Sequence, residues 1–196
     1  MKVTLASGNA HKLRELRTLL PDWELDALDS TDMPEETGKT FYENARAKAR
    51  FGRGTMTSDA WVLGEDSGLE VEGLDGRPGI YSARFAGPGA EDGENVRLLL
   101  AELRGIEGDG RRARYVCELV LVSPERAELR ATGTLAGAIG EEPAGSEGFG
   151  YDPVFVPEGE SRTVAELGDG WKAERSHRAL AARALREAVG KAAPKE

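Results

Sequence analysis

Apolar residues recur along this chain with two periods, and the switches between them outline its elements. Val3–Ala6 is a short apolar run that reads as a buried strand. Within Ala10–Leu20, Leu13, Leu16, Leu19 and Leu20 fall on one helical face, and Pro21 ends the helix. Trp23–Leu28 alternates and predicts a strand, and Asp29–Lys39 is polar and turn-rich. Thr40–Gly52 predicts a second helix with Phe41, Ala45 and Ala49 on one stripe. Thr40 at the N-cap and Glu43 three residues on form a capping box. Trp61–Leu63 and Leu69–Val71 read as two strands around a tight Asp66-Ser67-Gly68 bend. Leu74–Gly93 reads as loop, and Glu94–Arg104 as a helix with Val96, Leu99, Leu100 and Leu103 inward. Arg112–Ser123 and Ala127–Ala138 predict a long antiparallel pair joined at Pro124–Arg126. Glu141–Asp152 is a glycine loop, Val154–Val156 a short strand, and Arg178–Val189 a closing helix followed by a frayed tail. There is no repeat and no linker. The order predicts one α/β domain over residues 1–196, a mixed sheet in two lobes with a cleft between them.

A chain of 196 residues buries roughly 70% of its unfolded surface, so folding needs no disulfide or structural metal. The single cysteine, Cys117, sits in an apolar run and reads as a core thiol. One thiol excludes an internal disulfide and a cysteine-based zinc cluster, and the expected compartment is the cytosol. No apolar run approaches the ~20 residues of a membrane span. Val3–Ala6 is too short for a signal sequence. The net charge of −9 argues against nucleic-acid polymers, which need a basic face. An anionic ligand must therefore be held by a local cluster of donors or by a metal. Glycine is in excess, 25 of 196 residues, and eight lie between Gly64 and Gly93 and six between Gly133 and Gly150. Such clusters serve tight turns or a backbone that approaches a ligand closely.

Five stretches could carry chemistry. Ser7-Gly8-Asn9-Ala10-His11-Lys12 follows a strand and opens a helix, where unpaired N–H groups suit phosphate; a plain turn with Asn9 as N-cap is the alternative. Gly38-Lys39-Thr40 imitates the end of a phosphate loop, but Met33 stands where that motif needs glycine. Gly64-Glu65-Asp66-Ser67-Gly68 sets two carboxylates side by side. With Glu35 or Glu36 they offer the oxygen ligands that Mg²⁺ prefers, and one could deprotonate water; an Asx-turn is the alternative. In Gly148-Phe149-Gly150-Tyr151-Asp152-Pro153 an aromatic ring on permissive backbone could stack on a base, or fill a half-buried turn. Lys172-Ala173-Glu174-Arg175-Ser176-His177-Arg178 reads as a basic cluster opening the last helix. Cations oppose the macrodipole there, so a ligand or a solvated face must account for them.

Taken in order, these stretches resemble the inosine/xanthosine triphosphate pyrophosphatase family. The matching residues are Ser7-Gly8-Asn9 with Lys12, Glu35-Glu36-Thr37-Gly38, and Thr40-Phe41 with Glu43-Asn44-Ala45 and Lys48-Ala49. They continue with Glu65-Asp66-Ser67-Gly68-Leu69, Pro78–Arg84, Phe149–Pro153, and Lys172 with Ser176-His177-Arg178. The resemblance implies a two-lobed α/β fold with an elongated mixed sheet flanked by helices, a nucleotide cleft between the lobes, and a homodimer. It implies Mg²⁺-dependent hydrolysis of ITP, dITP or XTP to the monophosphate and pyrophosphate. By position, Asp66 is the catalytic acid and a Mg²⁺ contact, and Glu35 best matches the second metal carboxylate, with Glu36 one residue away. Ser7, Gly8, Asn9, Ala10, His11 and Lys12 would hold the triphosphate, and Ser67 would bond the substrate. Phe149 would stack on the purine beside Gly150, Tyr151 and Asp152. Lys172, His177 and Arg178 would complete the base and phosphate contacts, the last two donating to a 6-keto oxygen. Ser7 stands where many relatives have Thr. Glu65 stands where Asp is common, which leaves its part in the metal shell open. A pyrophosphatase for another modified nucleotide, or a nucleotide-binding module without catalysis, are the alternatives.

Overall fold

The computed structural model describes residues 1–29, 33–56 and 59–192. In chain order the elements are β1 (Lys2–Ala6), α1 (Ala10–Leu19), β2 (Glu24–Ala27), α2 (Phe41–Thr55), β3 (Trp61–Val71), α3 (Asp92–Glu102), β4 (Arg112–Val122), β5 (Glu128–Ile139), β6 (Phe155–Pro157), α4 (Val164–Arg175) and α5 (His177–Ala192). Six strands form one sheet in the order β2-β1-β3-β4-β5-β6. It is mixed: β1 runs parallel to β2 and β3, whereas β5 and β6 are antiparallel. The predicted α/β class with a helix-flanked mixed sheet is therefore what the chain adopts.

The chain packs as two compact units. One holds Met1–Asp66, Cys117–Gly133 and Arg178–Glu196, and the other Ser67–Val116 and Thr134–His177. In the first unit, alternation along β4 sends side chains to two faces. Cys117, Leu119 and Leu121 meet Leu16 and Leu20 of α1 and Ala181, Ala182 and Leu185 of α5. Val120 and Val122 meet Ala45 and Ala49 of α2. Gly64 lets α2 lie against β3, because a Cβ there would sit 2.0 Å from the Ala45 carbonyl oxygen and 2.7 Å from the Ala49 nitrogen. In the second unit, Leu69, Val71, Ala113, Tyr115 and Ile139 pack with Val96, Leu99 and Leu103 of α3 and with Phe155 and Val164. The expected core position of Cys117 holds; it is fully buried.

Several expectations need correction. Trp61–Val71 is one continuous strand, with no bend at Asp66-Ser67-Gly68. Its glycines suggested a turn, but Gly64 serves close packing instead. The two acids lie within the strand because buried cations pair with them, as described below. The Leu74–Gly93 stretch contains a 3-10 helix at Gly79–Arg84, and α3 begins at Asp92 behind a Glu91/Glu94 capping box. A further helix, α4, precedes α5, opened by a Thr163/Glu166 capping box and kinked at Gly168, whose φ is 83°. Lys172 and Arg175 thus belong to the last turn of α4, where cations suit the macrodipole. Of the tail, residues 193–196 lie outside the described residues, as do 30–32 of the polar stretch.

Candidate active site

Helix α2 organises the first unit's polar centre. Thr40 caps it by accepting the Glu43 N–H at 3.1 Å. Glu43 turns back one residue further than a capping box requires and accepts the Lys39 N–H at 2.6 Å. This fixes the chain that leads into the helix. One turn apart on the buried face, Asn44 and Lys48 stand where apolar residues would be expected. Asn44 accepts the Gly38 N–H at 2.9 Å and donates to Asp66 Oδ2 at 3.1 Å. Lys48 Nζ donates to Asp66 Oδ1 at 2.9 Å and to the Glu65 carbonyl at 3.2 Å, and pairs with Glu36 at 2.6 Å. One ammonium therefore sits between two carboxylates, Asp66 and Glu36. Glu36 is half-buried, whereas Glu35 is exposed.

Asp66 is 5% exposed. Burial raises its carboxyl above the usual range, against the pull of Lys48 and Lys12. The neighbouring Glu65 points the other way, by the pleat of β3, and is fully buried. It pairs with Lys12 at 2.6 Å and with Arg178 at 2.9 Å, and Cys117 Sγ lies 3.6 Å away. Burial alone would raise the Glu65 carboxyl; Lys12 and Arg178 outweigh it and hold it well below the usual carboxylate range. Arg178 also bonds Glu15 of α1. Burial would lower its guanidinium, and Glu65 and Glu15 raise it instead. Glu65 is thus committed to holding two cations.

The Ser7–Lys12 turn combines both sequence readings. Asn9 caps α1, its side chain accepting the N–H groups of His11 at 2.9 Å and Lys12 at 3.1 Å, while Ser7 Oγ accepts the Asn9 N–H at 3.2 Å. Gly8 through His11 are nevertheless exposed, and a Cβ on Gly8 would meet no atom within 4 Å. The space over the turn is open for a ligand.

The second unit gathers the aromatic and basic stretches. Asp152, 3% exposed, accepts the Phe149 N–H at 2.9 Å and Lys172 Nζ at 2.7 Å on one oxygen. Its other oxygen accepts the Tyr115 hydroxyl at 3.2 Å. Gly148, with φ 80°, makes room, since a Cβ there would lie 2.2 Å from Asp152 Oδ2. Lys172 Nζ lies 4.7 Å from the Phe149 ring centroid, within cation–π range. The Gly150 N–H is held by Asp92 at 2.7 Å. Tyr151 belongs to the core, 3% exposed, its hydroxyl donating to the Ser82 carbonyl. His177 is 6% exposed and stacks on Tyr115. Ser67, half-buried, follows Asp66 directly on β3.

Phe149, Asp152 and Lys172 are thus brought together, as are Asp66, Lys48 and Glu36. Asn44 and Lys48 lay in a stretch that matches the family but had no assigned role, and Glu15 and Tyr115 had none either. Two of them had a signal: polar residues spaced i, i+4 on the apolar stripe of Phe41, Ala45 and Ala49. Among the described residues no cluster of three or more His, Cys, Asp or Glu groups could by itself hold a metal, and no helix is long and apolar enough to cross a membrane.

Fold and site together define a class: an α/β protein whose buried strand aspartate shares a lysine with a second carboxylate, beside an open helix N-terminus. The chain belongs to the Ham1 family, whose sequence model matches residues 3–188. It is 47% identical to the dITP/XTP pyrophosphatase of Bdellovibrio bacteriovorus over 194 residues, covering 95% of this chain and 96% of that one. It is 44% identical to the dITP/XTP pyrophosphatase of Shigella flexneri, covering 96% and 98%. The solved structure of the Staphylococcus aureus Ham1 protein superposes with a TM-score of 0.85 at 35% identity, covering 97% of this chain and 99% of that one.

Proposed function

We propose that this protein hydrolyses non-standard purine nucleoside triphosphates, ITP, dITP and XTP, to the monophosphate and pyrophosphate. The observation that carries the reading is the grouping of Asp66, Lys48 and Glu36. A buried carboxylate beside an ammonium and a second acid suits attack on a phosphate anhydride, which depends on positioning and electrostatic stabilisation. Support comes from the names of relatives that match over nearly their whole length.

The residues of the first unit take the triphosphate. Lys12 and the turn from Ser7 to His11, exposed from Gly8 onward, present a positive charge and a helix N-terminus to the phosphate chain. Asp66 accepts a proton from the attacking water. The new bond forms between that water's oxygen and the α-phosphorus, the bond from the α-phosphorus to the bridging oxygen breaks, and pyrophosphate leaves with the bonding electron pair. Asn44 and Lys48 keep the Asp66 carboxylate aimed during this transfer. For the base, the family resemblance gives Phe149 the stack on the purine ring and gives Gly150, Asp152, Lys172 and His177 its surroundings. By the family resemblance Arg178, bonded to Glu65 and Glu15, and His177 are the donors to the 6-keto oxygen. Adenine presents an amino group there, so the same donors lose their partners and ATP is disfavoured.

The donor set also suits Mg²⁺. Asp66 and Glu36 are hard oxygen ligands that already share one cation, the Lys48 ammonium, and phosphates and water complete such shells. The geometry favours Glu36 over Glu35 as the second carboxylate. Bound there, Mg²⁺ supplies charge neutralisation at the phosphate oxygens. Excess EDTA is expected to lower pyrophosphate release from ITP about 100-fold or more, with recovery on adding Mg²⁺. Undiminished release in EDTA would refute the metal assignment. We place the activity in the cytosol, in keeping with a single buried thiol, and adopt the homodimer that the family resemblance implies.

A further inference from the structure

We propose that Tyr115 is the positioning residue that holds the base-recognition groups of the second unit in register. The inference rests on the reading that Phe149, Lys172 and His177 meet the purine. Tyr115 lies on β4 and is 6% exposed. Its neighbour Arg114 pairs with Glu70 at 2.6 Å, so the strand's polar face is engaged separately and the tyrosine points into the core. Packing there asks only for a ring, and Phe155 meets that ring at 4.6 Å and 43°. Two further contacts go beyond packing. The Tyr115 ring lies face to face with the His177 imidazole, at 4.5 Å between centroids and 10° between planes. The Tyr115 hydroxyl donates to Asp152 Oδ1 at 3.2 Å.

The second contact matters through what Asp152 holds. Its Oδ2 accepts both Lys172 Nζ at 2.7 Å and the Phe149 N–H at 2.9 Å. A carboxylate turns about its Cβ–Cγ bond, so a donor on one oxygen sets where the other oxygen points. Tyr115 therefore fixes Lys172 and the Phe149 backbone through its hydroxyl and His177 through its ring. One side chain reaches three groups that the sequence places between positions 149 and 177. A tyrosine kept only to fill the core would have no use for a hydroxyl, since a buried hydroxyl must find a partner to avoid a penalty.

The two contacts separate by substitution. Tyr115→Phe keeps the stack on His177 and removes the donor to Asp152; Tyr115→Leu removes both. Steady-state kinetics with ITP and ATP, beside thermal melts, read the result. For Tyr115→Phe the expectation is a KM for ITP raised about 10-fold with kcat within about 2-fold, and with it a lower ITP/ATP ratio of kcat/KM, since a hydrogen bond to a charged group has been removed from the base site only. Tyr115→Leu is expected to lower the ITP/ATP ratio of kcat/KM about 10-fold further. Unchanged KM and ratio in Tyr115→Phe, with or without a lowered Tm, overturns the inference and leaves Tyr115 a core residue. Phe149→Ala and Lys172→Ala run alongside. If they lower the ratio and Tyr115→Phe does not, only the Tyr115 inference fails. If they too leave it unchanged, the base is read elsewhere and both readings fall.

Discussion

Asp66→Asn is expected to reduce pyrophosphate release by about 10²–10⁴-fold, the range a positioned general base contributes, while the melting temperature stays close to that of the parent. The substitution is nearly isosteric. Asn44 keeps its bond to Gly38, and Lys48 keeps Glu36 and the Glu65 carbonyl, so the loop and helix stay joined. What is lost is an oxygen able to accept a proton. The raised Asp66 carboxyl sharpens the expectation. Burial makes it a better base than an exposed aspartate, and nearby Lys48 and Lys12 oppose that rise. Turnover assays with circular dichroism check both halves. Near-parental turnover in a folded variant would remove Asp66 from the chemistry.

The second large effect concerns stability. Glu65 lies at 0% side-chain exposure between Lys12 and Arg178, whose side chains are 13% and 2% exposed. Glu65→Ala leaves two largely buried cations without this partner. Breaking a buried pair by removing one member costs about 3–5 kcal/mol, a fall in Tm of roughly 6–20 °C for a chain of this size. The pH dependence has a definite sign. Glu65 is held below its unfolded value, so its contribution is present above the ordinary carboxylate pKa and is lost as pH falls through the depressed folded value. Melts at neutral pH should separate parent and variant fully, and the gap should close only in strong acid. A loss below about 1 kcal/mol would place Glu65 among the surface-like pairs and deny it the role of holding Lys12 and Arg178.

The fold class, most strands and the helices α1, α2, α3 and α5 were legible because each rests on local periodicity. Val3–Ala6, Ala10–Leu20 and the Arg112–Ala138 hairpin differ from the structure only at their ends. What misled was glycine. Gly68 suggested a bend inside what is one continuous strand, and Gly64, a few residues earlier, admits the backbone of α2. Gly168 and Gly170 hid α4, although Thr163 and Glu166 marked its start. The motif stretches picked out candidate residues but not whom they touch. Glu65 and Arg178 are 113 positions apart in sequence, and no local pattern predicts that the acid beside Asp66 holds two cations. That Glu36, and not Glu35, pairs with Lys48 likewise depends on a side chain from another element. Tyr115 read as one more apolar position in a strand, since its partners Asp152 and His177 come from later in the chain.

The reaction itself is tested by its products. ITP, dITP, XTP, ATP and a modified pyrimidine triphosphate are offered to the purified protein with Mg²⁺, and the products are separated and identified. The account predicts monophosphate and pyrophosphate in equal amounts from ITP, dITP and XTP, with kcat/KM at least about 100-fold above that for ATP. Diphosphate with orthophosphate, a preference for ATP or the pyrimidine, or binding without any release of pyrophosphate would contradict it.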